Sequence, residues 1–389
     1  MTSIEQLNHN GQSIWLDYIS RGLIRRGELK RLIEQNGVTG VTSNLAIFEK
    51  AVDESGDYDN AFDRLIEIET HIDAQAIYER MNIVDVRMAA DELRPVFDRT
   101  HGADGFASIE ISPYVARDTQ ASIAEARRLW DRVHRPNLMV KIPATPEGIP
   151  AIEVLLADGI NVNVTLVFSP AHYDAVVRAY LHGIERAPDP ARTASVVSVS
   201  VSEIDAAVDR ELLRIGTPQA LALRGKIAIA GARQIYRRFC GIFHSDRFAG
   251  LRLRGVRPQR VLWASTATRN RASCGVGYIE ELIGPETIVA APPSTLDAFR
   301  RQGQVRGITL HQNLAESEAA IQQPAKSGAR SRYGDRRDAI RRLGHIRGVV
   351  GQTIGDAGLQ AWCQGDVVRT QGGKYVYRSK LARVLSKLE

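Results

Sequence analysis

Short apolar runs alternate with amphipathic stretches through most of this 389-residue chain, the pattern of parallel strands joined by helices. Strands are expected at 13–18, 38–42, 105–111, 138–142, 162–168, 194–201, 260–265 and 287–291. Between the third and fourth, Ile123, Ala126, Trp130 and Val133 recur at helical spacing, with Asp118 and Thr119 placed to cap the helix start. Eight strand–helix units in a body of this size fit an α/β fold of the (β/α)8 TIM-barrel type, whose active site gathers at the C-terminal ends of the strands. The competitor is an open doubly wound sheet. It would carry a Gly-rich phosphate loop after the first strand, and Asp17-Tyr18-Ile19-Ser20-Arg21-Gly22 lacks that spacing.

A barrel places polar residues from distant parts of the chain around one cavity. Lys141 stands at the end of the apolar run 138–142, just before Pro143. An amine desolvated among apolar strands is a nucleophile able to attack a carbonyl and form a Schiff base; a lysine that snorkels to solvent from a strand end is the bland alternative. Asp17 ends the first strand, Thr42, Ser43 and Asn44 follow the second, and Glu110 ends the third. Asn163 and Thr165 sit two apart on the fifth and so share a face. Each alone reads equally well as a cap, a turn residue or a salt bridge. Together they form a ring suited to a polyhydroxylated carbonyl compound, because expelling water from a carbinolamine and cleaving an aldol both need general acid–base groups.

Composition narrows the class. With 44% hydrophobic and 25% charged residues the chain is ordinary for a soluble globular protein, and neither a secretory leader nor a membrane-spanning helix is expected from it. The cytoplasm is the default compartment and no membrane partner is expected. Cys240, Cys274 and Cys363 are too scattered for a disulfide framework or a zinc site. The net charge of +6 comes from the C-terminus, where fourteen Lys and Arg face five Asp and Glu after Gln323, so nucleic acid is not an expected partner of the body.

Several runs carry a resemblance to a known family. Trp15-Leu16-Asp17, Gly40-Val41-Thr42-Ser43-Asn44, Ser108-Ile109-Glu110-Ile111-Ser112-Pro113-Tyr114, Lys141-Ile142-Pro143-Ala144-Thr145-Pro146-Glu147-Gly148 and Gly159-Ile160-Asn161-Val162-Asn163-Val164-Thr165-Leu166 resemble transaldolase in its longer bacterial form, and the likeness runs through Trp263-Ala264-Ser265-Thr266 to about Gln323. The resemblance implies a metal-free, cofactor-free transfer of a dihydroxyacetone unit between sugar phosphates, sedoheptulose 7-phosphate or fructose 6-phosphate being the donor, by a monomer or homodimer. It implies that Lys141 forms the Schiff base, that Asp17 is the base at the cleaved bond, and that Glu110 and Thr165 position a catalytic water. Thr42, Asn44, Asn163, Ser198 and Ser265 would hold the sugar, and Arg269 its phosphate.

Two departures stand out. Where the family places a phosphate-clamping arginine this chain has Glu203, which removes a bidentate grip and substitutes repulsion. That points to weakened phosphosugar binding, to a sugar-binding homologue of impaired activity, or to a different acceptor. Leu45 replaces a proline, and the loop from Arg271 to Gly275 does not match. The second departure is the tail. Residues 1–323 are expected to form the barrel and 324–389 a basic, divergent tail with little apolar periodicity. A shifted reading frame near Gln323 accounts for the joint loss of match and composition; a basic arm for nucleic acid or an acidic partner is the functional alternative.

Overall fold

Eight parallel strands close on themselves in chain order: β1 (Gln12–Asp17), β2 (Val38–Thr42), β3 (Ala107–Glu110), β4 (Leu138–Pro143), β5 (Val162–Val167), β6 (Ser195–Ser200), β7 (Arg260–Ala264) and β8 (Thr287–Ala291), with β8 pairing back to β1. This computed structural model describes residues 2–68, 74–267, 275–322, 367–369 and 375–377. The expected strands are all present, their ends moved by two residues or fewer. The chain is therefore a (β/α)8 barrel. The expected helix is Thr119–Val133, and the two candidate caps divide: Asp118 accepts the Ala121 N–H at 2.9 Å, while the Thr119 hydroxyl donates instead to the Glu147 carbonyl at 2.7 Å. Val367–Arg369 and Tyr375–Tyr377 pair as an antiparallel ribbon. The rest of the expected tail, with Cys363, and the loop carrying Arg269 and Cys274 lie outside the described residues.

The barrel interior is built in layers because alternate residues of every strand face inward. At the N-terminal end, Asp104 accepts from Ser13 Oγ, from Trp15 Nε1 at 2.8 Å and from the Gly105 N–H at 3.0 Å, and Arg260 Nη1 lies 3.3 Å from its Oδ2. Arg260 also donates to Ser13 Oγ and to the Thr287 carbonyl, so this charged plug ties β1, β7 and β8 to the entry of β3. Above it lies an apolar layer of Trp15, Phe106, Met139, Val196, Leu262 and Ile288, all buried. Trp15 fills its place because Gly40 opposite has no side chain: a Cβ there would lie 2.4 Å from the indole. The layer above that is polar again.

The larger core lies between the barrel and its helices. The outward residues of β4 and β5, Leu138, Val140, Ile142, Val162 and Val164, are buried against helices such as Gly148–Ala157 and Pro170–Ile184. Apolar burial at about 25 cal/mol per Å² is what makes this packing favourable. Among the described residues, no helix is long and apolar enough to cross a membrane.

Candidate active site

Strand register brings the chemistry together. β3 pairs with β4 so that Glu110 stands beside Lys141, and β4 with β5 so that Lys141 stands beside Asn163. Three inward positions on three successive strands therefore form one row. Lys141 is buried, with Nζ 3.1 Å from Glu110 Oε1 and donating to the Ser43 carbonyl at 2.8 Å. It does not snorkel outward. The Glu110 carboxylate on β3 and the Ser43 carbonyl on the loop after β2 fix the amine between them, which offsets the desolvation that so buried a cation would suffer alone.

Asn163 is wholly buried and its amide is oriented from both sides: Nδ2 donates to Ser108 Oγ at 3.1 Å, and Oδ1 accepts from Ser198 Oγ at 2.7 Å. Thr165 is buried two residues further along β5. Its carbonyl accepts the Ala144 N–H at 2.8 Å, and the β5–β6 register slips between Val164 and Val167 while Leu166 adopts a positive φ of 62°. A β-branched or bulky side chain in that region is uncommon, and the bulge turns the strand end at the site. Across the barrel, Asp17 on β1 pairs in register with Thr42 on β2, and Thr42 is buried.

Asp17 is half-buried by surface, yet protein encloses it deeply enough that desolvation dominates its ionisation. Burial pushes its pKa from 3.8 up to about 6; Lys141 pulls the other way, and the carboxylates of Glu203 and Glu110 add to the rise. All four charged groups thus act on one cavity at the C-terminal end of the barrel. Glu203 sits in the first turn of the helix Val201–Ile215, where a negative charge meets the positive end of the helix dipole, and its Oε1 lies 3.4 Å from Ser265 Oγ. Ser265, half-buried with φ 54°, also accepts the Ser202 N–H through its carbonyl.

Lys141, Glu110, Asp17, Thr42, Asn163, Thr165 and Ser198 are thus gathered at the strand ends. Asn44 is placed differently: it is exposed, and its Oδ1 caps the helix Leu45–Asp53 by accepting the Ile47 N–H at 2.9 Å. Arg269 lies outside the described residues. Sequence reasoning missed Ser108, although its place two residues before Glu110 on the same strand face was a usable signal. It could not find the Ser43 carbonyl, a backbone group, nor His172, whose Nε2 donates to the carbonyl of Ala144. Burial lowers the His172 pKa more than that carbonyl raises it.

The sequence model of the transaldolase/fructose-6-phosphate aldolase family matches residues 14–334 of the chain. A transaldolase of Thermobifida fusca is 41% identical over 363 residues, which is 92% of this chain and 93% of that one. A transaldolase of Thiobacillus denitrificans is 43% identical over 332 residues, covering 84% and 92%. A third, from Acidothermus cellulolyticus, is 43% identical over 346 residues, covering 88% and 91%.

Proposed function

The chain belongs to the transaldolase/fructose-6-phosphate aldolase family and works as a transaldolase, and from that premise we propose how its residues divide the reaction. A transaldolase moves a dihydroxyacetone unit from a ketose phosphate to an aldose phosphate, a step of the non-oxidative pentose phosphate route. The observation that carries the assignment is the Lys141 amine held 3.1 Å from Glu110 inside the mouth of the closed barrel.

In the proposed sequence Lys141 yields a proton to Glu110 and its lone pair attacks the ketone carbon, and the alkoxide that forms takes a second proton from the nitrogen to give a neutral carbinolamine. Glu110 then returns a proton to the carbinolamine hydroxyl, which leaves as water, and a protonated imine remains. Asp17, as carboxylate, takes the proton of the hydroxyl on the fourth carbon. The bond between the third and fourth carbons breaks, its electron pair passes into the imine to give an enamine, and the shortened aldose leaves. An acceptor aldehyde enters; the enamine attacks its carbonyl carbon, and Asp17 gives its proton to the resulting alkoxide. Water then hydrolyses the new imine and frees Lys141.

The other residues orient the three-carbon unit. Asn163, locked by Ser108 and Ser198, presents a fixed amide to its hydroxyls, with Thr42 alongside and Asn44 Nδ2 as a donor at the rim. Thr165, beside the row, helps Glu110 hold the water that shuttles protons. Sedoheptulose 7-phosphate or fructose 6-phosphate is the donor in this reading. Borohydride added with fructose 6-phosphate should leave a reduced three-carbon adduct on Lys141, found by peptide mass, and Lys141→Met should carry none. An adduct on another lysine, or none on the parent protein with any ketose, removes the assignment.

A further inference from the structure

Just beyond Asp17 the chain enters a buried charged knot that the reaction above does not use. Arg21 is 4% exposed and Asp85, on the long helix Ala74–Arg99, is fully buried. Arg21 Nε donates to Asp85 Oδ1 at 2.8 Å. The Tyr58 hydroxyl donates to Asp85 Oδ2 at 2.7 Å and accepts the backbone N–H of Arg21 at 2.9 Å. The guanidinium also lies 4.8 Å from the centre of the Tyr58 ring, within cation–π range. Between Asp17 and this knot stand only Tyr18, Ile19 and Ser20; Ile19 and Ser20 are buried, and Ser20 Oγ caps the following helix by accepting the Leu23 N–H at 3.2 Å.

Such a knot is ill suited to stability as its purpose. Apolar side chains of similar volume would hold the same space about as well, because desolvating two charges cancels most of their attraction. What the knot does supply is geometry. Tyr58 reads the backbone of Arg21 while Asp85 holds its side chain, so the position and the direction of the chain at residue 21 are both set. The four residue steps from Asp17 to Arg21 span at most about 14 Å, too short a link for a shift at Arg21 to be absorbed before Asp17.

We propose that the Arg21–Tyr58–Asp85 knot is the positioning device of the cleavage base: it holds Asp17 against the hydroxyl of the bound sugar while leaving the imine-forming pair, on β3 and β4, untouched. The three are positioning residues, not catalytic ones, and the inference rests on the division of labour proposed above. It separates two steps that a general loss of structure would depress together.

The test uses the whole protein, fructose 6-phosphate and borohydride, and weighs the adduct on Lys141. In the parent, cleavage follows imine formation and the trapped fragment has three carbons. In Tyr58→Phe, which removes only the hydroxyl, and in Asp85→Asn, imine formation should persist while cleavage slows. The ratio of whole-donor to three-carbon adduct should rise at least tenfold, with kcat down about 10- to 100-fold for a misplacement on the order of 1 Å and total adduct unchanged. A parental ratio in folded Tyr58→Phe overturns the proposal, as does an equal fall of both adducts. A parent protein that forms no three-carbon adduct overturns instead the reading of Lys141 and Asp17 beneath it. Should Asp85→Asn fail to fold, Tyr58→Phe alone decides the outcome.

Discussion

Asp17 shows at a single residue how catalysis and stability oppose each other. A base must be ionised to take a proton, so with its pKa at about 6 the acidic limb of kcat/KM should fall near that pH. The folded value exceeds the ordinary 3.8, so between these limits the folded protein binds more protons than the unfolded chain and stability falls as pH rises. The cost is complete above the folded value and absent below the ordinary one. Asp17→Asn should therefore abolish cleavage yet melt higher than the parent at pH 7, by on the order of 1–2 kcal/mol once the open mouth is allowed for. Melts at stepped pH check this: the gap should close between pH 6 and 3.8. Glu203 enters the same balance. Because its carboxylate helps raise Asp17, Glu203→Gln should move the acidic limb to lower pH, and it should lower KM for a phosphorylated donor by removing a like charge. An unmoved limb would show that Glu203 is insulated from Asp17.

At the scale of elements, the turn after β4 carries the tightest constraint on Lys141. Gly148 begins the helix Gly148–Ala157, donating its N–H to Thr145 Oγ1 at 2.8 Å while Thr145 donates to the Ala116 carbonyl. A Cβ on Gly148 would lie 2.0 Å from the Pro143 carbonyl oxygen, a backbone atom that cannot swing aside. Gly148→Ala should therefore push on the end of β4, costing about 1–3 kcal/mol by denaturant midpoint and reducing borohydride-trapped adduct on Lys141; full trapping would show that the turn yields elsewhere. The strands around this turn were legible from sequence because strands buried on both faces leave short apolar runs, and their polar ends could be grouped once a barrel was inferred. The row of Glu110, Lys141 and Asn163 follows from consecutive strands in a closed sheet. Register and backbone acceptors left no such trace. The Ser43 carbonyl carries no residue code, the Leu166 bulge is hidden in an apolar run, and Asp85 lies 64 residues from Arg21 with no local spacing to connect them. The position of Asn44 could be read as either a ligand contact or a helix start, and its Oδ1 does cap the helix.

Taken whole, the molecule separates holding the barrel shut from doing chemistry, placing them at opposite ends of the same strands. Asp104→Asn would leave Arg260 without its carboxylate, and Arg260 Nε already has no partner among the described residues. The loss should be about 3–5 kcal/mol, seen as a lower denaturant midpoint, while kcat at 25 °C stays near the parental value because the apolar layer separates plug from site. A matching fall in kcat would mean that the two ends communicate. The barrel itself could be inferred from the spacing of eight apolar runs; the plug could not, since Asp104 and Arg260 stand 156 residues apart and look like ordinary surface charges.

The layered interior has one more consequence. With an aromatic and aliphatic floor beneath Lys141, a proton from bulk water has to approach the enamine through the same opening that admits the incoming aldehyde. Partition between onward delivery and wasteful release of free dihydroxyacetone then becomes a contest for occupancy at that doorway, settled by how soon the next aldehyde arrives after the first departs.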